Sequence, residues 1–222
     1  MINIAIDGPA GGGKSTVAKI LSKKLNILYL DTGAMYRACA LKAVTSGVDL
    51  NDETAVNAVV GNIDIKIAYR NGEQRTFLDG ADVSEKIREN AVSKGASEIS
   101  RHKFVREKMV EMQREIAASC SCIMDGRDIC MYVLPDADYK FFVTASPLER
   151  AKRRRTELLG KGQDVSVDEL VRQIAERDYQ DSHRENSPLQ QAPDAVLIDT
   201  SDMSAEQAAD KILEIIKEKG EK

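Results

Sequence analysis

Four short segments carry residue types that do chemistry. Gly8-Pro9-Ala10-Gly11-Gly12-Gly13-Lys14-Ser15 matches G-x-x-x-x-G-K-[ST] in full. Glycines let main-chain N–H groups approach phosphate oxygens without a Cβ in the way. A helix opening at Lys14 offers unsatisfied N–H groups and a positive dipole end. Lys14 supplies a cation for β- and γ-phosphates, Ser15 a hydroxyl for Mg²⁺, and Thr16 a further hydroxyl for phosphate. The second segment is Asp31-Thr32-Gly33-Ala34-Met35-Tyr36-Arg37, the third Asp125-Gly126-Arg127-Asp128. In the fourth, Arg177, Asp181 and Arg184 are spaced four and three apart, so on a helix they share a face.

Elements must hold these segments in place. Ile2 to Asp7 is a short apolar run, read as a buried strand. The glycine loop follows, then a helix with Val17, Leu21 and Leu25 at four-residue spacing. Ile27 to Leu30 predicts a second strand, so Asp31 to Arg37 follows a strand end, where parallel sheets form their ligand crevice. Residues 33 to 60 read mostly as helix. Beyond Gly61, Ile63, Ile65 and Ile67 alternate with polar residues, Asn71-Gly72 signals a hairpin turn, and Thr76 to Leu78 is the expected return strand. This small antiparallel insert spans about 61–83. Val105, Met109, Met112 and Ile116 mark a helix face. Cys120 to Met124, Tyr139 to Ala145 and Ala195 to Ile198 are further strands. Ser146 with Glu149, Ser166 with Glu169, and Ser204 with Gln207 mark helix starts. The pattern is α/β with a mainly parallel sheet.

The 222 residues carry 32 basic and 36 acidic side chains, a net charge of −4. That argues against a nucleic-acid polymer as partner and leaves a nucleotide open. No apolar run approaches the ~20 residues that span a bilayer, and the N-terminus has no secretory pattern. Four cysteines (Cys39, Cys120, Cys122, Cys130) and two histidines (His102, His183) suit neither a disulfide scaffold nor a zinc site. The expectation is a reduced, cytoplasmic protein without a membrane partner. A guanine-reading Asn-Lys-x-Asp is missing, and the chain is short for a motor or transporter ATPase. A small-molecule kinase fits best. An RNA-binding module using the basic run at 150–155 is the rival from another class.

Taken together, the phosphate loop, the 31–37 segment, the β insert, Gly126-Arg127-Asp128, Pro135-Asp136-Ala137 and the Arg177/Asp181/Arg184 helix resemble the bacterial cytidylate kinases over essentially the whole chain. The resemblance implies a single 1–222 domain of P-loop NTPase type: a three-layer core with a mainly parallel sheet, the antiparallel insert inside a nucleoside-monophosphate-binding region at 33–100, and a helical lid at 150–166. It implies transfer of the γ-phosphate of ATP to CMP or dCMP with Mg²⁺, by a monomer. Another small-molecule P-loop kinase, acting on AMP or a non-nucleotide acceptor, is the alternative. ATP would lie on Gly8 to Thr16, with Ser15 reaching Mg²⁺.

By the same resemblance, Ser97, Arg106 and Asp128 would recognise cytosine with help from Arg184. Arg177 and Asp181 would hold the ribose hydroxyls. Arg37 and Arg127 would pair with the CMP phosphate, and Thr32 and Tyr36 would line the pocket. Lys14, Arg37, Arg127 and the lid residues Arg153 and Arg154 would be the catalytic charges. Read alone, Ser97 is a helix cap and the 150–155 run an exposed basic stretch. One departure stands out: Cys130-Met131 replaces the expected Gly-Thr, a change able to shift the main chain beside Arg127 and Asp128.

Overall fold

The computed structural model describes residues 1–70, 73–160 and 162–220. It divides into two compact units, one made of residues 1–29 and 120–222, the other of residues 30–119.

The first unit is built on parallel strands: β1 (Asn3–Asp7), β6 (Cys122–Gly126), β7 (Tyr139–Thr144) and β8 (Val196–Asp199). With β2 (Leu28–Asp31), whose last two residues open the second unit, the strand order is β2-β6-β1-β7-β8. β1 lies between β6 and β7, both over a hundred residues away in the chain. Their register sets Ile6 opposite Asp125 and Asp7 opposite Gly126 and Phe142. The carboxyl ends of β1 and β6 therefore emerge side by side, the place where such sheets bind ligands.

Helix α1 (Lys14–Leu25) and helix α8 (Ala205–Gly220) cover one sheet face. Ile4, Ile6, Val17, Leu21, Phe141, Ile198 and Ile212 are buried together there. The four-residue spacing in α1 and the near-continuous apolar run of β1 are what that burial requires. Helices α6 (Pro147–Leu159) and α7 (Val167–His183) pack through Ala151, Leu158, Leu170 and Ile174. Ser146 accepts from the Glu149 N–H at 3.3 Å and Ser166 from the Glu169 N–H at 3.2 Å, so both expected helix starts are real. Ser204 and Gln207 open α8 reciprocally, as a capping box does.

The second unit holds helices α2 (Thr32–Thr45), α3 (Glu53–Gly61), α4 (Asn90–Ile99) and α5 (Lys103–Ser119). Its three-stranded antiparallel sheet runs β3 (Ile65–Arg70), β4 (Glu73–Leu78), β5 (Ala81–Asp82). The insert is thus a meander rather than a plain hairpin, with β5 too short to leave a period. Its predicted Asn71-Gly72 turn lies outside the described residues. Residues 33 to 60 break into two helices because Asp52 caps α3 by accepting from the Ala55 N–H. α4 went unpredicted in sequence, and it contains Ser97: this serine sits near the helix's end and is no N-cap.

Candidate active site

In the first unit the loop between β1 and α1 has the shape that phosphate binding needs. Gly13 precedes α1 with φ 90° and no side chain caps the helix, so its first N–H groups are left for a ligand. Gly8 and Gly12 are forced by the passing β7 main chain. A Cβ on either would lie 2.0 Å or 2.9 Å from the Val143 carbonyl oxygen. Lys14 is buried and its Nζ donates to the Pro9 carbonyl at 2.7 Å. Burial pushes this ammonium down to about 7, helped by the Arg127 charge and opposed by the carboxylates of Asp125, Asp7 and Asp181.

Ser15 donates its hydroxyl to Asp125 Oδ2 at 2.7 Å, and the Tyr29 hydroxyl donates to Oδ1 at 2.8 Å. Asp125 thus joins the phosphate-loop serine, a contact that sequence reasoning passed over although Asp125 opens the quoted 125–128 segment. A hydroxyl and a buried carboxylate in contact at a phosphate loop are hard oxygen donors, the chemistry Mg²⁺ prefers. Among the described residues no cluster of three or more His, Cys, Asp and Glu is placed to hold a metal.

The residues expected on the acceptor side fall into two sets. In the first unit, Arg127 Nε meets Asp181 Oδ2 at 2.9 Å, and Arg184 Nη2 lies 3.8 Å from Asp128 Oδ1. Burial would raise the Asp181 carboxyl, but the charges of Arg127, Arg177 and Arg184 hold it below its usual range. Five predicted residues, from β6 to the end of α7, thus form one electrostatic cluster. In the second unit, Arg106 is buried with its guanidinium 5.5 Å from the centre of the Tyr36 ring, and it donates to the Ser100 carbonyl at 3.2 Å. Arg37 Nη2 meets Asp31 Oδ2 at 2.7 Å, while Asp31 Oδ1 caps α2 through the Ala34 N–H. Thr32 is buried in the first turn of α2, and Ser97 is half-buried on α4.

This cluster, beside a complete phosphate loop, is the arrangement of a nucleotide-dependent kinase. Residues 4–218 match the family model described as cytidylate kinase. The chain belongs to the cytidylate kinase family. It is 50% identical over 214 residues to the cytidylate kinase of Caldicellulosiruptor saccharolyticus, a match covering 96% of this chain and 95% of that one. With the cytidylate kinase of Bacillus subtilis it shares 46% identity over 218 residues, or 98% and 97% of the two chains. A solved structure of an uncharacterized protein from Eubacterium ventriosum has the same fold at TM-score 0.54 and 15% identity, covering 98% of this chain and 99% of that one.

Seen as a cytidylate kinase, the chain is a phosphotransferase, and its basic helix α6 sorts into distinct roles. Arg150 is buried, unlike the exposed stretch read from sequence. It grips Asp178 with two bonds, of 3.0 and 2.6 Å, and donates to the carbonyls of Ala145 and of Ala10 in the phosphate loop. A rigid, forked donor set makes these bonds together, which lysine would not. Arg153 donates to the Thr200 hydroxyl and carbonyl at 3.0 and 2.6 Å, and Thr200 in turn donates toward the Gly12 carbonyl at 3.1 Å. Arg154 pairs with Glu157 at 2.7 Å on the surface of this cytidylate kinase helix. Of the histidines, His102 contacts the Leu50 carbonyl through Nε2. Cys39, Cys122 and Cys130 are buried and free. Among the described residues no helix is long and apolar enough to cross a membrane.

Proposed function

We propose that this chain transfers the γ-phosphate of ATP to CMP or dCMP, giving CDP or dCDP. The observation that carries the reading is the buried Asp128 carboxylate, backed by Arg184 and two residues beyond the strand end that positions Asp125 against the phosphate loop. Cytosine offers an amino donor beside ring acceptors, and a carboxylate accepts from that amine. Uracil lacks the donor and leaves the carboxylate unpaired. On this reading Ser97 and Arg106 complete base recognition, Arg177 and Asp181 take the ribose hydroxyls, and Arg37 and Arg127 take the acceptor phosphate. Thr32 and Tyr36 line the pocket.

The acceptor oxygen of CMP is already anionic, so the reaction needs no general base. The obstacle is the approach of two polyanions, and positioning with charge neutralisation supplies the catalysis. The N–H groups from Gly8 to Thr16 cradle the donor phosphates, and Lys14 leaves the Pro9 carbonyl for a phosphate oxygen. Ser15 and Asp125 would hold Mg²⁺ with the nucleotide. When bound, the ion neutralises phosphate charge. Arg37 and Arg127 exchange their carboxylate partners for the acceptor phosphate. Arg153 and Arg154, in a lid at 150–166, steady the transferring group and exclude water. The protein acts as a cytoplasmic monomer, a single 1–222 cytidylate-kinase-like domain with no nucleic-acid polymer or membrane as partner.

A coupled ADP-release assay across CMP, dCMP, UMP, AMP and shikimate tests this. Turnover on CMP and dCMP, at least about 10²-fold better than on the others in kcat/KM, is expected. Fast turnover on AMP or shikimate alone overturns it.

A further inference from the structure

Asp7 closes β1, and it is wholly buried. Both of its oxygens are engaged by main chain far along the sequence. Oδ1 accepts the Ile129 N–H at 2.9 Å and Oδ2 accepts the Cys130 N–H at 2.7 Å. A carboxylate without exposure is costly unless such donors satisfy it, and N–H bonds to an ionised oxygen are among the strong ones. The two donors open a single wide turn of π type over Ile129–Val133, starting directly after Asp128. The first N–H groups of a helical turn lack partners inside it, and Asp7 takes that place here. From the other side, the Tyr132 and Val133 N–H groups donate to the Asp128 carbonyl at 2.9 and 3.2 Å. The Asp128 main chain is therefore clamped between its own turn and the end of β1.

We infer that Asp7 is a positioning residue for the acceptor nucleotide: through the main chain of Ile129 and Cys130 it holds Arg127 and Asp128 in their working orientation. Asp7 reaches the phosphate loop only as a charge that favours the Lys14 ammonium, whereas its hydrogen bonds go to the segment after Asp128. Its register partners across β1 are Gly126 and Phe142, so it stands directly beside the segment it holds. Burial, assisted by the neighbouring Asp128 charge, pushes the Asp7 carboxyl up to about 6, while the two N–H bonds and the Cys130 thiol pull it down. The group stays predominantly ionised at neutral pH. Lys14 and Arg127 are the cations that feel its charge.

The clamp also accounts for the departure at 130–131. Asp7 is held by two N–H groups, which every residue but proline offers, and the Cys130 thiol adds a side-chain hydrogen bond to it. The Cys130 side chain turns into the sheet, with Sγ 3.6 Å from the Ala5 carbonyl and 3.7 Å from the Phe141 carbonyl. Replacing Gly-Thr by Cys130-Met131 thus leaves the main chain beside Asp128 held.

The inference rests on the reading of Arg127 and Asp128 as CMP contacts, so the test compares Asp7→Asn with Asp128→Asn in the full chain. Asparagine keeps the shape of Asp7 but turns one acceptor into a donor facing an N–H. For Asp7→Asn the KM for CMP should rise at least tenfold, with a clearly smaller rise in the KM for ATP, because Lys14 loses the charge of Asp7. A rise for Asp128→Asn with none for Asp7→Asn overturns the positioning role and keeps the CMP reading. No rise for either overturns the reading itself. Equal rises in both KM values make Asp7 a general structural residue and also overturn the inference. Should Asp7→Asn fail to fold, amide exchange in the wild-type chain decides: strong protection of the Ile129 and Cys130 N–H groups supports the clamp, and exchange at the rate of exposed amides ends it.

Discussion

Arg127 and Asp181, 54 residues apart in the chain, meet through a 2.9 Å bond from guanidinium Nε to carboxylate Oδ2. Their side chains keep 21% and 8% of their exposure. Each is a proposed contact of a different part of the acceptor, one for phosphate and one for ribose. The pair therefore holds two recognition groups in register before the nucleotide arrives.

Removing one partner leaves the other charge half-buried. Asp181→Asn should lower stability by about 2 kcal/mol, less than for a fully buried pair because Arg127 retains solvent. In a double-mutant cycle with Arg127→Ala the losses should fall short of additivity by at least about 0.5 kcal/mol. The pH dependence has a fixed sign. The folded Asp181 carboxyl lies below its unfolded value, so its stabilisation is complete above the ordinary carboxylate range and fades as pH falls through the folded value. Denaturant melts from pH 3 to 7 on wild type and Asp181→Asn should converge at the acid end. Parallel curves would contradict the pairing.

Burial and the Arg127 charge push the Lys14 ammonium down to about 7. Phosphate oxygens replacing the Pro9 carbonyl favour the charged form and raise that value. ATP binding at pH 8 should then take up close to one proton, falling toward zero near pH 6. Calorimetry in buffers of different ionisation enthalpy measures this directly. Proton release at pH 8 would be incompatible with the described Lys14.

Ser15→Ala deletes the hydroxyl that meets Asp125 at 2.7 Å. We expect kcat to drop on the order of 10²-fold and the Mg²⁺ concentration for half-maximal rate to rise, with the CMP KM little changed. Asp125→Asn should shift the same Mg²⁺ dependence. A metal titration of both variants checks the pairing, and unchanged curves would remove the site from the mechanism.

Gly8 has φ 145° and faces the Val143 carbonyl, 2.0 Å from where a Cβ would be. Gly8→Ala should cost at least about 3 kcal/mol, combining strain and overlap. Gly47, at φ 70° with open space around it, supplies the control. There Ala should cost about 1 kcal/mol. Thermal melts of both variants separate a steric requirement from a purely conformational one.

Much of the site could be read directly because its signals are local. Gly8 to Ser15 dictate a turn and an uncapped helix start through neighbouring residues. The three serine caps work over three positions. Arg177 and Asp181 share a face of α7 by spacing alone, but Arg184, read as the third member of that face, is the extended residue just past the helix end. Elements too short for a period escaped notice: β5, the turn at 129–133, and the break between α2 and α3. Arg150 was misread because it stands in a run of basic residues, and composition does not say which member faces inward.

The amino-acid order by itself thus determined the phosphate loop, the α/β alternation and the residue types available for an acceptor nucleotide. Tertiary structure alone decided which of them meet. Asp7 finds Ile129 and Cys130 across 122 and 123 positions, and Ser15 finds Asp125 across 110. Those meetings exist because β1 inserts between β6 and β7, bringing three strand ends together. Periodicity reports which face of an element is buried, not which strand lies beside it, so buried carboxylates that act through another segment's N–H groups leave no pattern along the chain.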